Sequence, residues 1–375
     1  METLSLYTLQ TYWWLLVSII GALFVFMTFV QGGQTLLYTL GKSSDERDVI
    51  INSLGRKWEL TFTALVMFGG ALFAAFPLFY AVSFGGAYYV WMAILFCFII
   101  QAVSYEYRKK PDNLFGERFY EIMLFLNGSL GIFLIGAALG TLYSGGNFIV
   151  DAMHLSHWTK PTYGLEALLN PFNVAFGLML VFLSRMQGAL YLYNNVAEET
   201  IAQRALHALK INTLLFLPLF LYVAGTMLFG TGYGYDPTTK TVTTESMKLL
   251  HNLIAYPILA IILVAGIAAL LYGIYVALFN QNKKAIWYSS VGTVLTITVL
   301  LFNLGVNHTV YYPSLADLKS SLTIENSSGS HYTLFVMSIV SLLVPVVLGY
   351  IYAVWRSMDK TKITIDEVKS DTHHY

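Results

Sequence analysis

Residues 58–82 read WELTFTALVMFGGALFAAFPLFYAV: Trp58 and the single carboxylate Glu59 open the stretch, and no charge follows as far as Val82. A run of 18 or more such residues is long enough to cross the hydrocarbon of a bilayer as a helix. Outward from it, comparable runs lie near Leu9–Leu37, Gly85–Val103, Phe119–Tyr143, Leu169–Tyr193, Thr213–Phe229, Ile254–Phe279, Ile286–Leu304 and Tyr332–Trp355. Charge, Gly, Pro and Asn clusters punctuate them. The turn around Ser83-Phe84-Gly85-Gly86 is the tightest. Composition agrees: the 375 residues are 57% hydrophobic and 11% charged, against about 25% charged in a soluble domain. The expected fold is an all-α membrane protein of about nine transmembrane helices, one integral membrane domain over residues 1–375.

Nine spans put the termini on opposite sides. Sixteen of the 21 Lys and Arg fall in one set of loops and the tail, while Lys160, Lys240, Lys248 and Lys319 fall in the opposite set. The positive-inside rule makes the first set cytoplasmic, with the N-terminus outside and the C-terminus inside. Trp13, Trp14, Trp58, Trp287 and Trp355 lie near span ends, as interfacial anchors do. No basic n-region or cleavage site precedes the first span, so no signal peptide is expected. An internal echo is present: Gln31-Gly32-Gly33 closes the first span and Gln187-Gly188-Ala189 the fifth. It suggests two four-helix bundles in parallel repeat, residues 1–143 and 169–304, then a peripheral ninth helix at 332–355 and a cytoplasmic tail at 356–375.

Zero formal net charge offers nothing to nucleic acid, and the lone Cys97 excludes an internal disulfide. A haem inside a membrane bundle is usually ligated by His, or a His/Met pair, from the bundle walls. His154, His157, His207, His251, His308, His331, His373 and His374 all fall in loops, helix ends or the tail. His154 and His157 have no carboxylate or Cys to complete a metal set. Arg185 is the one basic residue inside a span and is a functional candidate for that reason; the alternative is a snorkelling Arg or one that ties two helices together. Glu59 meets low dielectric on the cytoplasmic side, which disfavours its charged form and suits a proton carrier; the alternative is a helix-end carboxylate in contact with water. Glu106 and Arg108, two apart, cannot face each other on a helix and need partners elsewhere. Glu121, Gln31, Gln34 and Gln187 gather at the same depth, a polar entry for protons or ordinary interfacial polarity. Gly69, Gly70 and Ala71 are small enough to let helices approach closely.

The stretch from Gly69 through Pro77 to Ala81 resembles the second helix of subunit II of the cytochrome bd quinol oxidases. Ile51-Asn52-Ser53 and Trp58 precede it at the family spacing. Tyr105-Glu106-Tyr107-Arg108 resembles the close of the third helix, Leu169-Asn170-Pro171-Phe172 the opening of the fifth, and Gln187-Gly188-Ala189-x-Tyr191 its close. These markers run in family order over about residues 41–195. The chain departs from the pattern at Thr28-Phe29-Val30-Gln31-Gly32, where members usually carry an acid. It also departs at Glu59, where many carry Asp, at Leu60-Thr61-Phe62-Thr63, and at Gln101, where Arg is common.

The resemblance implies an obligate partner, a homologous subunit I that carries haem b and haem d type groups and the quinol-oxidising loop. The pair reduces oxygen to water in the bacterial inner membrane, among membrane lipids and quinone, and the resemblance allows for small single-helix subunits beside it. This chain is expected to bind no cofactor or metal alone. Its proton-path candidates are Trp58, Glu59, Glu106, Arg108 and Arg185; Gly69, Gly70, Pro77, Asn170, Pro171, Gln187 and Gly188 carry the family motif. Two other readings are a self-sufficient transporter and a purely structural scaffold. The transporter should show broken helices and polar groups at mid-membrane, and the mid-span positions are expected to be apolar. The scaffold differs only over Glu59.

Overall fold

The computed structural model describes residues 4–370, so His373 and His374 lie outside the described residues. Among the described residues, eight helices are long and apolar enough to cross a membrane: Leu6–Thr35, Ser44–Ala75, Tyr88–Tyr107, Glu117–Ser144, Pro171–Asn195, Glu199–Phe229, Pro257–Leu278 and Ala285–Asn303. A ninth span is bent by 41° between His331–Ser341 and Val344–Met358. Two antiparallel hairpins decorate one end. Strand β1 (Phe148–Val150) pairs with β2 (Ser156–Trp158), and β3 (Thr231–Tyr235) with β4 (Val242–Ser246). The opposite end carries the basic loops.

Several helix bounds differ from the apolar runs. Span two begins at Ser44, not Trp58. The Ser43 hydroxyl accepts from the Glu46 amide, and the Glu46 carboxylate accepts from the Ser43 amide. This reciprocal cap starts a helix in water, and the apolar run marks only the part that enters lipid. Span six likewise begins at Glu199 rather than Thr213. Span two ends at Ala75, because Pro77 cannot continue the backbone ladder. The chain restarts as Pro77–Tyr80 and a π-helical turn, Ala81–Gly86, instead of a simple loop. Span five opens as its sequence prescribes: the Asn170 side chain accepts from the Phe172 amide and Pro171 occupies the first helical position.

Span five is the hub and touches spans one, four, six and eight. Its contact with span one has no room for a side chain. A Cβ on Gly188 would sit 2.4 Å from the Gly33 nitrogen, and one on Gly32 would sit 1.9 Å from the Ser184 carbonyl oxygen. Gly69 and Gly70 behave otherwise. A Cβ on Gly70 meets nothing within 4 Å, and one on Gly69 meets only the Phe84 ring at 3.5 Å. Within this chain they do not bring helices together. Spans two and three diverge there, and the glycines border an apolar groove of about 480 Å³.

One further expectation is corrected. Trp13 and Trp14 are buried rather than interfacial. Their indole N–H groups donate to carbonyls of spans nine and eight, Trp13 to Leu334 at 3.1 Å and Trp14 to Phe302 at 3.1 Å. The segment after span nine is docked against spans two and five. Lys57, fully buried, pairs with Asp359 at 2.8 Å, Arg56 with Glu367 at 2.9 Å, and the Ile363 amide donates to the Asn195 carbonyl at 3.2 Å. The strap closes over the basic end.

Candidate functional site

The basic end of spans two, three and four is joined by a balanced ionic network. Arg108, fully buried, donates to Glu121 at 2.7 Å, Asp48 at 2.6 Å and Glu117 at 3.3 Å. Lys109 pairs with Asp48 at 2.9 Å and Glu117 at 2.8 Å, and Arg47 with Glu121 at 3.3 Å. Three cations thus face three carboxylates, which is what lets a guanidinium sit out of water. Glu117 and Glu121 share a helix face at i, i+4 spacing. The Tyr38 hydroxyl donates to Glu121 at 2.6 Å. Partial burial and then the Glu121 carboxylate push the Tyr38 phenol up to about 12, against the lowering charges of Arg47 and Arg118.

Next to this network lies a ladder of buried amides. Gln34 donates to the Tyr105 hydroxyl at 3.1 Å, and Gln31 to the Gln101 side-chain oxygen at 2.9 Å. Asn127 lies beside them in a π-helical turn, Asn127–Gly131, inside span four. A Cβ on Gly128 would strike the Gln31 carbonyl oxygen at 2.2 Å, so the two backbones touch. Asn127 is about 15 Å along its helix from Glu117 at the usual rise. The mid-span positions are therefore not all apolar, contrary to expectation: the amides occupy the bundle interior, hidden from lipid. Buried polar side chains inside a membrane bundle serve as interhelical contacts. Gln187 does the same between spans five and eight, donating to Ser289 at 2.8 Å and Thr293 at 2.6 Å.

The other candidates separate. Arg185 donates from Nε to the Asn212 oxygen at 2.7 Å and from a terminal nitrogen to the Thr35 hydroxyl at 2.9 Å. It ties span five to spans six and one without a carboxylate. Glu59 and Glu106 are both exposed in the single chain. Glu59 is roughly 22 Å along its helix from Ser44, not at the helix start. The residues beside them, Trp58 and Tyr105, stack at 5.8 Å between ring centroids with an interplanar angle of 11°. The two carboxylates therefore flank a rigid aromatic pair on one outer face. Below Glu59 on that face, Val66, Met67 and Phe73 are exposed, and on span three Leu95, Phe96 and Ile99.

Sequence reasoning missed Asp48, Glu117, Tyr38, Lys57 and Asn127. Asn127-Gly128-Ser129, polar and flexible inside an apolar run, was the one local signal. For the rest the decisive fact is a partner distant in sequence.

The family described as "Cytochrome bd terminal oxidase subunit II" matches residues 9–358. The chain belongs to this family. It is 29% identical to "Cytochrome bd-I ubiquinol oxidase subunit 2" of Escherichia coli, over 97% of this chain and 98% of the relative. It is 26% identical to "Cytochrome bd ubiquinol oxidase subunit 2" of Bacillus subtilis, over 91% and 93%. Among solved structures, a chain of the bd oxidase from Geobacillus thermodenitrificans matches with a TM-score of 0.61 at 15% identity, covering 94% of this chain and 98% of that one. That likeness shows the fold alone. Family and spans together make this a multi-pass protein of the bacterial inner membrane.

A haem group was tested against the residues present. His154, His157, His207 and His251 are exposed, and His308 and His331 sit half-exposed at the hairpin end. None projects into the bundle interior as an axial ligand would. Among the described residues, no three or more of His, Cys, Asp and Glu converge to hold a metal ion. The described residues do not fit a haem held by this chain by itself.

Proposed function

We propose that this chain works as subunit II of a bd-type quinol oxidase, beside a subunit I that carries the haem b and haem d type groups. The pair passes quinol electrons to oxygen and forms water. This chain supplies no redox centre; it supplies a scaffold and part of a proton entry path from the side of its basic loops. On this reading those loops are cytoplasmic and the N-terminus is outside.

The observation that carries the proposal is the outer face of spans two and three. A carboxylate, Glu59, stands exposed at the head of an apolar stripe, with Glu106 nearby and the Trp58–Tyr105 pair as a backstop. A large partner seated on the stripe removes lipid and bulk water from Glu59, and a carboxyl in that setting takes up and releases protons. Arg108 and its three acids fix the end of span three and so the place of Glu106. Arg185 acts by tying helices together. The parallel-repeat reading, with halves 1–143 and 169–304, draws support from the contact between Gly188 and Gly33, since the two echoed motifs meet each other.

Glu59→Gln keeps shape and hydrogen bonding but cannot ionise. In the assembled oxidase it should slow oxygen reduction by about a hundredfold or more, the usual worth of a positioned proton-transfer group, with haem content and assembly unchanged. Glu59→Asp should restore much of the rate. Wild-type turnover in the Gln variant would leave this chain a scaffold, with protons entering through the partner alone.

A further inference from the structure

At the basic end a cavity of about 620 Å³ opens where span five ends, span eight begins and span nine ends. Its polar wall is cationic: Lys284, Arg356 and Lys360 line it, with Asp359 as the one acid. Asp359 is already committed to the buried Lys57 at 2.8 Å. Among the described residues the side chains of Lys284, Arg356 and Lys360 have no hydrogen bond or ion pair, so about three positive charges face an open space without a counter-charge.

The second wall is aromatic. Trp287 and Trp355 line it with ring centroids 5.9 Å apart. Trp287 is 44% exposed and Trp355 9%, so Trp287 supplies the accessible part of this wall. Indole rings favour the depth at which headgroups meet acyl chains. Above the cavity, spans eight and nine expose Val291, Val347 and Leu348.

We propose that this cavity binds the headgroup of an anionic phospholipid. The phosphate lies among Lys284, Arg356 and Lys360, with the Trp287 ring beside it, and the acyl chains rise along spans eight and nine. Basic pockets between helices at a membrane face recognise such headgroups. A soluble anion would satisfy the cations but has no use for the aromatic wall or the apolar stripe above it. The inference is independent of the proton role of Glu59.

The test uses the purified oxidase complex containing this chain, stripped of lipid in detergent. Phosphatidylglycerol, phosphatidylcholine and inorganic phosphate are titrated in separate arms and read by native mass spectrometry and by the shift of the thermal midpoint. Phosphatidylglycerol should bind at one per chain and raise the midpoint; the other two should not. Each cation near an anionic headgroup is worth roughly fivefold in affinity, so Lys284→Gln, Arg356→Gln and Lys360→Gln together should weaken binding about a hundredfold. The charge-keeping set Lys284→Arg, Arg356→Lys and Lys360→Arg should bind nearly as wild type. If the triple Gln variant fails to assemble, Lys360→Gln alone, at an exposed position, should still show the roughly fivefold loss. An equal response to phosphatidylcholine, an equal response to inorganic phosphate, or unchanged phosphatidylglycerol binding in the Gln variants overturns the proposal.

Discussion

Arg108 is the residue on which the basic end depends. Its guanidinium is fully buried and its partners lie on two other helices: Asp48 on span two, and Glu117 and Glu121 on span four. Removing one member of a buried pair strands the other, at about 3–5 kcal/mol. Arg108→Gln should destabilise the chain by about that amount, because Glu121 is only 2% exposed. Arg108→Lys should recover only part, since an ammonium cannot fork between two carboxylates. Thermal or denaturant unfolding of the purified chain measures both, and a Gln variant within about 1 kcal/mol of wild type would show that the network is not what holds these ends together. Gln101 shows the complementary solution. It stands where Arg is common in the resemblance, and here it accepts an uncharged hydrogen bond from Gln31, so the position carries no charge that needs a counter-ion.

At the scale of helices, two glycine pairs that look alike in the sequence do opposite things. Gly188 and Gly33 are pressed backbone to backbone, while Gly70 faces open space. Gly188→Ala must push spans one and five apart, and overpacking of that kind costs about 1–3 kcal/mol or more. In the isolated chain Gly70→Ala should change stability by less than about 0.5 kcal/mol, as substitutions without a contact do. Unfolding of the two variants side by side decides it: comparable losses would mean that the groove between spans two and three closes in solution. The bends belong to this scale as well. Span one breaks at Thr28, span four contains the π-helical turn at Asn127, and span nine is bent at its middle. The first two place an irregular backbone inside the bundle, where neighbouring helices rather than lipid meet it, whereas the bend of span nine, at Leu342 and Leu343, is exposed.

Spans two and three present a broad apolar face with Glu59 and Glu106 at its head, and the described histidines lie away from the bundle interior. Expressed without subunit I, the chain should show no stoichiometric haem absorption in an optical spectrum. A full-intensity haem band from the isolated chain would require ligands that the interior does not present, and would overturn the division of labour between the subunits.

Much of this was legible in the amino-acid order. Apolar run length marks what enters a bilayer, so the number of spans followed from composition along the chain. Asn170-Pro171 marked a helix start because capping is local chemistry. The ordered motifs from Ile51 to Tyr191 pointed to the family. What the order could not decide was set by contacts between residues far apart in sequence. Trp13 and Trp14 read as interfacial anchors until spans eight and nine were seen to accept their indole N–H groups. The start of span two lay hidden because a capped helix continues through polar residues once a strap is docked against it. Arg108 needs a counter-charge on any reading. That its acids lie on spans two and four is a property of helix packing, the same packing that presses spans one and five together at Gly32 and Gly188.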